Sequence, residues 1–128
     1  MPKYGDLPSA VGATGQSATM LVPGDVMRLF NAETLTGLPV QSIAIAIGPN
    51  PGGGYSPITF DIEFAATPVT ASVIIQGAMT DTPTAYQTLY TSTNKQQDYY
   101  GDVGKFRFYT ITLVSQSAGG AITVTVSR

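Results

Sequence analysis

The chain has 128 residues, enough for one well-buried core and too few for two, with 43% hydrophobic and only 11% charged residues. Six Lys/Arg against eight Asp/Glu, scattered singly, give a net charge of −2 and no basic patch to collect phosphates, which argues against a nucleic-acid partner. With no His and no Cys, the chain lacks the commonest general base, the thiolate nucleophile and nearly every zinc or copper site, so no catalytic, cofactor-binding or metal-binding residues are expected.

A charged share about half the ordinary one leaves a surface of Thr, Ser, Ala, Gln and Tyr. Such a surface is easily desolvated against a partner, because no ion has to lose its water. No run approaches the ~18 apolar residues of a spanning helix, and residues 1–8 carry no apolar leader core. The expectation is a product made in a reducing cytoplasm, with no membrane partner.

Residues 1–18 are rich in Gly, Pro, Ser and Ala without periodicity, which fits either an extended N-terminal arm or a disordered tail. From Thr19 to residue 128 the texture is that of one β-sandwich domain, with short apolar runs separated by turn residues. Thr19–Val22 and Val26–Phe30 flank the turn Pro23-Gly24-Asp25. Asn31–Gly37 is the one segment with a candidate helical turn. Val40–Ile47 alternates Ile43, Ile45 and Ile47 against Ala44 and Ala46, as a strand with a small-residue outer face does. The Pro49–Gly54 segment cannot be strand interior.

Ile58–Ala66 carries Phe60, Ile62 and Phe64 inward and Asp61 and Glu63 outward, the cleanest half-buried strand in the chain. Val69–Gln76 is apolar at both parities, which predicts a central strand. Tyr86–Thr91 is a weaker strand and Ser92–Gly104 a polar loop. Lys105–Ser115 changes its apolar phase from Phe106 and Phe108 to Tyr109, Ile111 and Leu113, which predicts a bulge or a face switch near Phe108 and Tyr109. Ala118-Gly119-Gly120 then turns into Ala121–Ser127, where Ile122, Val124 and Val126 alternate with threonines and complete a terminal hairpin. About eight strands in this length predict an all-β, jelly-roll-like antiparallel sandwich.

Asp61 and Glu63, two apart on one strand face, read as a solvated face rather than an acid–base pair, whose members face each other across a cleft. Asp98 and Asp102 lack the dense oxygen ligands of a calcium loop. Aromatic and apolar residues on polar segments bury area at small entropic loss in an interface. The candidate interface residues are therefore Tyr4, Leu7 and Val11 of the arm with Tyr55, Tyr99 and Tyr100 of the loops. Core packing at the end of the sandwich is an equal alternative for Tyr99 and Tyr100.

The segments VTASVIIQG, TPTAYQTL and GKFRFYTITLVSQSAGGAITVTV resemble the C-terminal half of the small β-sandwich virion proteins of tailed bacteriophages. The resemblance implies a capsid decoration, or cement, protein that is not an enzyme. Such a protein binds the major capsid protein on the capsid exterior and is expected to form a homo-oligomer, a dimer or trimer at a symmetry axis. A second function fitting the loop tyrosines is a carbohydrate- or receptor-binding module of a phage tail. The chain lacks the Trp and the Cys pair of discoidin-type sugar-binding sandwiches, which share the layout loosely.

Overall fold

A computed structural model of the chain describes residues 9–11, 17–48 and 57–128, with side chains from Thr19 onward. These residues form strands β1 (Ser9–Val11), β2 (Ser17–Leu21), β3 (Val26–Glu33), β4 (Val40–Gln41), β5 (Ile45–Ile47), β6 (Ile58–Phe64), β7 (Thr70–Ala78), β8 (Gln87–Thr93), β9 (Gln97–Asp102), β10 (Phe108–Ser117) and β11 (Ile122–Ser127). Helical structure among them amounts to a 3-10 turn at Pro83–Ala85.

A four-stranded sheet in the order β3-β11-β6-β9 faces a seven-stranded sheet in the order β1-β2-β5-β10-β7-β8, with β4 also paired to β10. From β3 onward the chain crosses from sheet to sheet at every connection except β4 to β5 and the β7–β8 hairpin. That strand order is a jelly roll, as expected from the sequence. β1 pairs antiparallel with β2 from Ser9–Thr19 to Val11–Ser17, and β2 runs parallel to β5. The described part of the N-terminal segment thus extends the larger sheet.

The alternation of the strands builds the core directly. β6 buries Ile58, Phe60, Ile62 and Phe64, β11 buries Ile122, Val124 and Val126, and β10 answers from the other sheet with Tyr109, Ile111 and Leu113. Close approach of β7 to this core requires a glycine. A Cβ on Gly77 would lie 2.8 Å from the Phe106 ring and 3.0 Å from Leu89. Gly77→Ala should therefore lower stability by about 1–3 kcal/mol through overpacking, read as a lower denaturation midpoint at unchanged slope.

Four expectations are corrected and one is refined. β10 and β11 do not form a hairpin. The turn Ala118-Gly119-Gly120, with φ of +61°, +92° and +74°, carries the chain across to the other sheet, where β11 pairs with β3 and β6. Asn31–Gly37 is not helical, because β3 continues to Glu33. Val40–Ile47 is two strands split at Ser42, whose buried hydroxyl accepts the Ile111 N–H at 3.1 Å, and its Ala44 and Ala46 face is buried, with Phe108 packed on it. The phase change near Phe108 and Tyr109 is a face switch, since Phe106 and Tyr109, three apart, both join the core while Phe108 packs on Ala44 and Ala46; the bulge in the β10 ladder lies instead between Leu113 and Ser115. Finally, the expected loop Ser92–Gly104 contains strand β9.

Candidate interaction surface

β9 lies at the edge of the four-stranded sheet, paired with β6 from Ile58–Asp102 to Glu63–Gln97. Its side chains alternate: Gln97, Tyr99 and Gly101 are exposed, while Asp98, Tyr100 and Asp102 are half-buried. Tyr100 stacks on Tyr90 of β8 in the opposite sheet, with ring centroids 5.0 Å apart and 13° between planes. The aromatic contacts continue to Phe60 at 6.5 Å, then Tyr109 at 5.8 Å, then Phe106 edge-on at 5.9 Å.

Two carboxylates on β9 accept the hydroxyls of this stack. Tyr90 donates to Asp98 Oδ2 at 2.5 Å, Tyr100 to Asp102 Oδ1 at 3.0 Å, and Tyr109 to Asp102 Oδ2 at 2.5 Å. The Gly104 N–H adds a bond to Asp102 Oδ2 at 3.1 Å. Burial, then the Asp102 hydrogen bond, push the Tyr100 hydroxyl up to about 12 and raise that of Tyr109 in the same way. For Asp98, partial burial acts upward but is outweighed. Hydrogen bonds from Tyr90, Ser92 and the Tyr99 N–H, with Lys95 alongside, hold its carboxyl below the ordinary value. These groups clasp the two sheets along one side of the sandwich, and Asp98 and Asp102 are already engaged by tyrosines.

Tyr99 is different. The residue is 60% exposed, on the outer face of the sheet. The Phe64 N–H donates to Gln96 O, so in the antiparallel alternation the Tyr99 backbone turns to the open edge. There its N–H is taken by Asp98 Oδ1 at 2.9 Å, which obstructs edge-to-edge strand addition at that point. On the outer face of this sheet, Arg28, Thr125, Asp61 and Tyr99 form one row across β3, β11, β6 and β9. A second row holds Thr123, Glu63 and Gln97, and Gln97 Nε2 reaches Asp61 Oδ1 at 3.5 Å.

Asp61 and Glu63 therefore point outward as expected, side by side on one face rather than across a cleft. At the end of this face lies a groove of about 250 Å³ lined by Ala32, Glu63, Phe64, Ala65, Gln96, Ala121 and Thr123. Among the described residues no three potential metal ligands converge, and no helix is long and apolar enough to cross a membrane.

No protein-family model matches the sequence, and no curated protein matches it. The fold is shared with a solved structure, titled the crystal structure of SPBc2 prophage-derived protein YomS. The match has a TM-score of 0.51 at 13% identity and covers 80% of this chain and 90% of that one. At that identity the likeness establishes the fold.

Of the candidate interface residues, Tyr99 is on the exposed face and Tyr100 is in the clasp between the sheets. Val11 has its backbone in β1, paired with Ser17. Tyr4, Leu7 and Tyr55, like residues 49–54, lie outside the described residues. The sequence reading did not single out Arg28, whose place beside Thr125 depends on a β3–β11 register that alternation alone does not specify.

Proposed function

We propose that this chain is a non-enzymatic structural protein of a tailed-phage virion. It sits on the outer surface of the capsid and stabilises it by bridging major capsid subunits. The observation that carries this reading is the likeness of its jelly roll to a prophage-derived protein over most of both chains. Two features of the chain support it: the low charge, which makes its surface easy to desolvate, and the tying of Asp98 and Asp102 to tyrosines, which leaves them as fasteners rather than reactive groups.

The test is co-sedimentation with capsids of the encoding phage assembled without this protein. Saturable binding at a fixed ratio to the major capsid subunit is expected, with capsids more resistant to heat once loaded. Absence of binding to mature and immature shells alike would overturn the proposal.

A second function is favoured by one specific observation, the exposed Tyr99 ring with Asp61 and Gln97 beside it. That arrangement suits stacking on a sugar ring with hydrogen bonds to its hydroxyls. In that case the protein would bind host-surface glycans and leave capsids unbound.

A further inference from the structure

We infer that the outer face of the four-stranded sheet is a self-complementary surface on which a second copy of this chain docks face to face. The inference rests on the sheet geometry and is independent of the capsid assignment. The sheet order is β3-β11-β6-β9, so a two-fold axis running along the strands between β11 and β6 lays β3 of each copy over β9 of the other. It also lays β11 over β6.

Along the row Arg28, Thr125, Asp61, Tyr99 this operation reverses the order. The Arg28 guanidinium then meets the Tyr99 ring of the second copy, a cation–π contact. It also comes within reach of Asp61, the cross-strand neighbour of that same tyrosine. Thr125 meets Asp61, so a hydroxyl faces a carboxylate. In the next row Thr123 meets Glu63. The Thr123 oxygen already accepts the Ala32 N–H at 3.0 Å, which leaves its hydroxyl proton free to donate. Each contact occurs twice, as a two-fold interface requires.

Nothing in this arrangement sets like charge directly against like charge: the cation on β3 faces an aromatic ring and a carboxylate, and the two carboxylates on β6 face hydroxyls. Strand addition at β9 is disfavoured, since Asp98 Oδ1 already holds the Tyr99 N–H. The face has a width of four strands and a depth of three outward residues. At ~4.8 Å per strand and ~6.6 Å per outward residue it measures about 20 Å by 20 Å. Two such faces bury roughly 800–1,000 Å², the size of weak and transient interfaces, so the dimer is expected to form reversibly at micromolar concentrations or above.

Sedimentation velocity of the full chain between about 5 and 500 µM tests this. The wild type is expected to pass from monomer to dimer across that range. Arg28→Glu and Asp61→Arg should each weaken association at least about tenfold, and the two combined should recover part of it, because the charge pair is exchanged while the cation–π contact with Tyr99 is lost. Tyr99→Ala should weaken it without rescue. Unchanged melting temperatures establish that each variant is folded. A wild type that stays monomeric throughout overturns the inference. So does a dimer indifferent to these substitutions, which would be built on another surface, and so does a double variant no better than the singles.

Discussion

Val124→Asp is expected to leave the chain unfolded. Val124 is fully buried on β11, paired with Ile62 on one side and Phe30 on the other, in the middle of the smaller sheet. A carboxylate there has no partner among the apolar side chains of the core. Its burial would cost several kcal/mol even if it took up a proton, against a total stability of roughly 5–15 kcal/mol for a domain of this kind. Thr123→Asp, one residue away on the outer face, should fold, with a melting temperature within a few degrees of wild type. Circular dichroism and thermal melts of the two variants decide the point. A folded Val124→Asp chain would show that the inward register of β11 is wrong.

The same strand shows how far alternation reaches. Ile122, Val124 and Val126 announce an inward face in the sequence, and the structure buries all three. Alternation names a face but not a neighbour. A strand that pairs with β10 and a strand that stacks on it from the opposite sheet need the same apolar pattern, so the Gly119-Gly120 turn reads equally well as a hairpin or as the crossing it is. β6 was legible in full because its outer positions hold Asp61 and Glu63. β9 was not legible, because it inverts the usual signal: its inward positions are Asp98, Tyr100 and Asp102, polar residues made compatible with the interior by bonding to one another and to Tyr90 and Tyr109. Such a strand becomes visible only when the hydroxyls that satisfy its carboxylates, brought across from β8 and β10 in the opposite sheet, are in place. The outer-face row was hidden for a related reason, since β3 is offset at Leu29, between the Arg28–Thr125 and Phe30–Val124 pairs.

The polar clasp should also dominate the stability of the β8–β9 side. Asp102→Ala removes the acceptor of three hydrogen bonds at once, from Tyr100, Tyr109 and the Gly104 N–H. Tyr109 is fully buried, so its hydroxyl loses its only carboxylate acceptor and is left with the Phe106 N–H at 3.3 Å as a neighbour. Hydrogen bonds to a charged acceptor contribute about 1.5–3 kcal/mol each, and sharing one carboxylate makes them less than additive, so the expected loss is roughly 3–4 kcal/mol. That corresponds to a melting temperature lower by more than about 10 °C. Asp102→Asn, which keeps an acceptor oxygen, should lose less.

A second signature separates the clasp from simple loss of packing. The folded-state hydroxyls of Tyr100 and Tyr109 ionise above their ordinary value, first because they are buried and next because Asp102 holds them. Groups with raised folded-state values contribute stability that is fully present below the unfolded value, about 10 for tyrosine. It is lost as pH rises through the folded value, which for Tyr100 is about 12. Wild-type stability should therefore decline across that window as the unfolded chain sheds tyrosine protons first. In Asp102→Ala the decline should be shallower, because the carboxylate's share of the shift is gone while the share due to burial remains. Denaturant midpoints measured at steps between neutral pH and about pH 12, with tyrosinate absorbance followed in parallel, provide the test. Parallel curves for the two proteins would show that Asp102 does not hold these hydroxyls in the folded state.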